Sequence, residues 1–201
     1  INCGDPYTYE GHSYATVLIG TQCWFAENLR SENYNTGTAI ATGLDNATWA
    51  ATTDGAVTVY DEGGATAAAN LLTYDRLYNW HAVNTGNLCP SGWHVPTDGE
   101  YTTLTDGLGG TSVAGEKMKS SAPAWNGTNT NGFSGLAGGC RLQSDGDFYD
   151  EGDYGYFWSA STNGGASAWS RFLYDGDTEV GRTNLEHRCG FSVRCVQDFQ
   201  D

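Results

Sequence analysis

Residues 88–108 read LCPSGWHVPTDGEYTTLTDGL, and their reading decides the fold. Cys89 precedes a Pro-Ser-Gly turn, the kind of place where an exported chain carries a staple. Trp93-His94-Val95-Pro96 is extended, because Pro96 pushes the residue before it out of the helical region. Thr97, Asp98, Gly99 and Glu100 then spell T-x-x-E, a capping box. In it the Thr97 hydroxyl accepts from the Glu100 N–H while the Glu100 side chain reaches back to Thr97. Tyr101, Leu104 and Leu108 follow at spacings of three and four, one apolar stripe on a short helix, and Gly109-Gly110 ends it. The rest of the chain is expected to pack around this element.

A chain of 201 residues suits one domain. Nine Lys+Arg against 24 Asp+Glu give a formal charge of −15, which disfavours nucleic acid and anionic membrane surfaces as partners. Seven Trp and twelve Tyr supply a core of few, large side chains. Six cysteines without a C-x-x-C point to disulfides, not to a zinc ribbon or a redox motif. No run approaches the ~20 apolar residues that span a bilayer, so no membrane insertion is expected. The start at Ile1, with no basic or apolar leader, is read as an extracellular or cell-surface chain whose signal peptide has been removed.

Working outward, residues 1–29 read as hairpin structure with turns at Glu10-Gly11-His12 and Gly20-Thr21-Gln22. Cys3 and Cys23 flank it, so a bridge between them would close it. Residues 31–70 are rich in Thr, Ala, Gly and Asn and read as a long irregular insertion held by Trp49, Val57 and Val59, with a short strand over 56–60. Residues 71–83 are expected to be helical, with Leu77, Trp80 and Val83 on one face. Residues 114–121 give one or two helical turns stopped by Pro123. The glycines of 133–141 (FSGLAGGCR) predict a close backbone approach. Residues 154–161, 168–174 and 189–196 read as antiparallel strands, joined by loops that contain Asp175-Gly176-Asp177 and Thr183-Asn184.

Together these segments resemble a family. Residues 16–29 (TVLIGTQCWFAENL), 78–80, 89–108, 132–141, 155–161 (GYFWSAS), 168–169 and 190–196 (GFSVRCV) are similar to the Fibrobacter succinogenes major paralogous domain, a module of exported bacterial proteins. That module in turn resembles the fold of C-type lectins and formylglycine-generating enzymes. The counterparts here are Val95-Pro96-Thr97 with Glu100, and Gly190-Phe191 with Arg194-Cys195. The resemblance implies an α+β, C-type lectin-like fold over residues 1–201: two helices flanking a twisted, mainly antiparallel sheet with long loops. It also implies a staple from Cys89 to Cys195. Departures from the family pattern suggest Cys140–Cys189 and Cys3–Cys23, although six cysteines alone allow about fifteen connectivities. Closing a loop of about 100 residues contributes up to ~4–5 kcal/mol in the chain-entropy model.

Catalysis is not expected. The stretch where oxidase relatives carry a cysteine pair, residues 168–188, holds none, and His12, His81, His94 and His187 are scattered without a metal-binding spacing. No organic cofactor is implied. His94, beside Trp93 and Pro96, reads as a structural hydrogen-bonding residue. The calcium and sugar motifs of C-type lectins are missing from the sequence, leaving sugar stacking on exposed aromatics. Asp145, Asp147, Asp150, Glu151 and Asp153 crowd one Gly-containing loop, read either as a calcium site or as a plain acidic turn. Asp175, Asp177 and Glu179 form a weaker second candidate. The expected function is a non-enzymatic cell-surface binding or adhesion module whose partners are other surface proteins, glycans or copies of itself. The alternative is a self-assembling subunit of an extracellular filament or surface layer.

Overall fold

The glycine turns of the N-terminal segment produce two tight hairpins. Gly11 (φ +76°) joins β1 (Tyr7–Tyr9) to β2 (His12–Tyr14), and Gly20 (φ +61°) joins β3 (Thr16–Ile19) to β4 (Gln22–Phe25). This computed structural model describes residues 2–122 and 124–198. Next come α1 (Asn46–Ala51), β5 (Val57–Thr58), α2 (Ala67–Tyr74), β6 (Leu77–Asn79) and α3 (Trp80–Val83). The organising stretch supplies β7 (Trp93–His94) and α4 (Asp98–Gly107), followed by α5 (Thr111–Met118). The remaining strands are β8 (Gly138–Arg141), β9 (Phe148–Glu151), β10 (Tyr154–Thr162), β11 (Ser167–Tyr174), β12 (Val180–Glu186), β13 (Gly190–Phe191) and β14 (Val196–Gln197).

The architecture is α+β with mostly antiparallel pairing. The large sheet runs β12-β11-β10-β8-β13-β6-β5 with β9 paired to β8, and its β10–β8 pair is parallel. A second sheet runs β3-β4-β14-β7, and β1 pairs with β2. Among the described residues no helix is long and apolar enough to cross a membrane.

Helix α4 starts where the capping box places it: the Thr97 hydroxyl accepts from Glu100 N and the Glu100 carboxylate accepts from Thr97 N. Tyr101 and Leu104 are buried on its inner face. They share a core with Trp24, Met118, Phe133, Phe157, Leu173 and Val180, so α4 and α5 cover one face of β10–β12. A second core gathers Trp80, Trp93, Trp158 and Phe191 around the Cys89–Cys195 bridge. Where the chain passes between the sheets lies Arg194, fully buried, donating to Asn28 Oδ1 and to the carbonyls of Phe25, Phe133 and Ser134.

Residues 31–70 are anchored as their apolar residues predict. Trp49 and Val57 are fully buried, and Arg141 lies between the Trp49 and Phe148 rings while donating to Leu44 O and Asn46 Oδ1. The expected close approach is present too: a Cβ on Gly139 would come within 2.3 Å of Tyr149 O.

Other expectations are corrected. Residues 71–83 are not one helix. Asp75 (φ +65°) breaks α2, and Leu77–Asn79 becomes a sheet strand between β13 and β5. Instead of two helices there are five among the described residues, all short. Residues 180–186, read as loop around Thr183-Asn184, form β12, hydrogen-bonded to β11 over seven residue pairs. The expected strand over 189–196 is broken into β13 and β14, which serve different sheets. Pro123, the expected stop of α5, lies outside the described residues.

Two of the expected bridges are present, Cys3–Cys23 and Cys89–Cys195; Cys140 and Cys189 are buried free thiols. The register explains this. Gly190 faces Arg141 across the antiparallel β13–β8 pair, so Cys140 lies opposite Phe191 and Cys189 opposite Leu142. The cysteines are diagonal neighbours, about 7–8 Å apart in such a ladder, beyond the usual Cα span of a disulfide. The Cys189 thiol instead lies 2.8 Å from Gln143 Oε1, and burial pushes its pKa up to about 12.

Candidate binding face on the large sheet

Alternation along three paired strands builds an open aromatic surface. Tyr154 pairs with Tyr174, Tyr156 with Phe172, and Phe172 with Gly181. Side chains alternate across a strand, so these residues share one face with Thr183 and Leu185, opposite the face covered by α4 and α5. The rings form a row. Tyr174 stacks on Tyr154 at 4.5 Å, Tyr154 on Tyr156 at 5.6 Å, Tyr156 on Phe191 at 4.9 Å, and Phe191 meets Trp158 at 4.4 Å. Trp158 and Phe191 are fully buried, Tyr154 and Tyr156 half-buried, and Tyr174 is 38% exposed.

Phe172 stands apart from the row. Its ring lies over Gly181, where an added Cβ would fall 2.1 Å from the ring, and so it occupies space that any other residue at 181 would claim. The planes of Tyr154 and Tyr156 are tilted 53° and 46° from it, each at 6.1 Å. The result is a corner with Phe172 as floor and the tyrosines as wall. Two adjoining cavities open on it. One of about 200 Å³ is lined by Tyr154, Phe172, Tyr174, Asp177, Glu179 and Gly181. The other, about 360 Å³, is lined by Asp150, Tyr154, Tyr156, Phe172, Thr183 and Leu185.

The rim is acidic and partly fixed. The Tyr156 hydroxyl donates to Asp150 Oδ2 at 2.8 Å, and burial together with that carboxylate holds the phenol well above its ordinary pKa. Asp177 Oδ1 accepts from the N–H groups of Thr178 and Glu179, orienting its head group.

The other sequence-predicted site residues lie elsewhere. Of the acidic loop, only Asp150 reaches the aromatic face. Asp145 accepts from Asp147 N and the Tyr149 hydroxyl, Asp147 accepts from Phe148 N, Glu151 lies on β9, and Asp153 is in the turn to β10. Among the described residues no group of three or more His, Cys, Asp or Glu is gathered to hold a metal ion. In the loop of the second candidate, Asp175 to Glu179, a cation is already built in. The Lys119 ammonium donates to the carbonyls of Tyr174 at 2.9 Å and Asp177 at 2.7 Å. His94 is held by carboxylates at both ring nitrogens, Glu100 at 2.8 Å and Asp198 at 2.6 Å. The Glu100 bond above all holds its pKa above the ordinary value, with burial opposing and Asp198 adding.

Sequence reasoning missed Phe172, Gly181 and the tyrosine wall. The i, i+2 pairs Tyr154/Tyr156 and Phe172/Tyr174 in neighbouring strands were the available signal. In comparisons with known proteins, no curated protein and no solved structure matches the chain. The model of the Fibrobacter succinogenes major domain matches residues 17–197, from the second hairpin to the last strand. The chain therefore belongs to the Fibrobacter succinogenes major domain family.

Proposed function

We propose that this chain is a non-enzymatic, exported cell-surface binding module that engages its partner through the aromatic face of β10–β12. The observation that carries the reading is the Phe172 corner: large rings left half-open to solvent beside carboxylates, on strands braced from behind by α4 and α5. Two disulfides suit an oxidising location outside the cell. A lectin-like reading of the fold draws support from the bridge that ties Cys89, ahead of α4, to Cys195 beside the last strand.

The test is retention of the purified chain on immobilised surface glycans and cell-envelope polymers, run beside Phe172→Leu. Retention that survives the substitution unchanged sinks the assignment of this face. The second reading, a self-assembling subunit, is favoured by β12, a seven-residue strand at the end of the large sheet. An open edge of this kind templates pairing with another chain. Sedimentation of the unreduced protein separates the two readings, since polymers in the absence of any ligand would favour the second.

A further inference from the structure

The aromatic corner also carries information about its ligand. Its two cavities, about 200 and 360 Å³, lie at or below the lower end of the ~300–1,000 Å³ typical of whole-ligand pockets. Either cavity alone has room for a head group. The polar groups of the lining are the carboxylates of Asp150, Asp177 and Glu179 and the hydroxyls of Thr183 and the tyrosines. Among the described residues no basic or amide side chain lines either cavity. An anionic head group is repelled there, and by the chain's formal charge of −15. A cation is drawn by both, and also by the electron-rich face of Phe172 that is turned away from Gly181.

Two further features narrow the cation. Calcium takes six to eight oxygens, whereas the walls here are rings. A primary ammonium brings three N–H donors that need acceptors converging on one point, whereas the corner itself is walled by rings and its carboxylates stand at the rim. A quaternary ammonium has no N–H to satisfy and fills an aromatic corner through its methyl groups. We propose that the corner of Phe172, Tyr154 and Tyr156, rimmed by Asp150, Asp177 and Glu179, binds a trimethylammonium head group of the choline type. The proposal rests on the reading of this face as the binding surface and names what it takes.

The experiment is a titration of the full, unreduced chain, ¹³C-labelled at Phe and Tyr, with choline chloride at constant ionic strength. The neutral isostere 3,3-dimethylbutan-1-ol and a methyl pyranoside are titrated in parallel. Saturable shifts of the Phe172, Tyr154 and Tyr156 rings are expected with choline, with clearly weaker saturation by the isostere. Phe172→Leu keeps an apolar side chain but removes the ring, and should weaken choline roughly 2- to 30-fold, the range of one cation–π contact. Asp150→Asn combined with Glu179→Gln should weaken choline and leave the isostere unchanged. Equal saturation by choline and the isostere overturns the proposal, because the corner is then merely apolar. Shifts with the pyranoside and none with choline also overturn it, while the binding face stands. If no ligand moves these rings and Phe172→Leu keeps full retention on surface polymers, the proposal and the assignment of the face fall together.

Discussion

Replacing Asp98 by alanine removes the carboxylate that ties α4 to the strands carrying the aromatic face. Asp98 is the first helical residue after the Thr97 cap, and its carboxylate serves two guanidinium groups from neighbouring strands. Arg171 on β11, 2% exposed, donates to Asp98 Oδ1 at 2.6 Å; Arg182 on β12, 43% exposed, donates to Oδ2 at 2.9 Å and stacks over Trp169. Burial opposes the charge on Asp98, but the arginine bonds outweigh it and hold the carboxyl below its ordinary pKa. The two pairs contribute unequally. Leaving a buried charge without its partner costs about 3–5 kcal/mol. The lower end applies, because Asp98 is one-fifth exposed and Arg171 keeps Asp98 O and Thr102 Oγ1 as acceptors. The exposed Arg182 pair adds under ~1 kcal/mol. The expected loss is therefore about 3 kcal/mol, or a fall in Tm of roughly 6–12 °C for a chain of this size. Denaturant unfolding followed by tryptophan fluorescence, with disulfides intact, measures it. Arg171→Met removes the charge with its partner, so the double variant should be more stable than the sum of the single losses allows. A loss below about 1 kcal/mol for Asp98→Ala, or strict additivity in the cycle, would refute the reasoning.

Three other outcomes are expected. The folded-state pKa of His94 is raised above its unfolded value of about 6.5, so its stabilising contribution is complete below that pH and fades as pH rises through the folded pKa. The Tm gap between the native chain and His94→Gln should narrow as pH rises, and a gap that widens contradicts the two-carboxylate clamp. A thiol assay without reductant should find Cys140 and Cys189 unreactive in the folded protein and two thiols per chain after denaturation; finding none would mean that a third bridge forms. Gly139→Ala, with φ +63° and a carbonyl 2.3 Å from the new Cβ, should cost more than about 3 kcal/mol. Gly11→Ala, at φ +76° in open space, should cost only about 1–2 kcal/mol, and thermal melts of the two separate clash from backbone strain.

What could be read in the sequence is what depends on local chemistry. The Thr97–Glu100 box needs only its own backbone, and the buried Trp49 and Val57 stood out because their surroundings are small and polar. Residues 180–186 could not be read that way. Gly181 and Asn184 are poor strand formers, and the segment becomes a strand because β11 offers a ladder, Phe172 needs the space above Gly181, and Trp169 accepts the Arg182 guanidinium on its face. Leu77, Trp80 and Val83 have helical spacing, yet the left-handed Asp75 separates them from α2 and commits Leu77 to the sheet. The diagonal placement of Cys140 and Cys189 is a property of register, and no count of cysteines contains it.

The aromatic face lies between these cases. Its alternating rings were visible, but which face stays open was not, because that depends on which face α4 and α5 cover. Gly190 and Phe191 pair with β8 and β6, Ser192 bridges β10 at Phe157, and the chain then crosses through Arg194 to the other sheet at Val196. Phe191 closes the inner end of the row, between Tyr156 and Trp158, and Tyr154, Phe172 and Tyr174 stay partly exposed. Had this row of rings served packing alone, it would be covered along its whole length. Its open end instead meets the rim carboxylates Asp177 and Glu179, and that pairing of uncovered rings with uncovered charge is what a ligand would use.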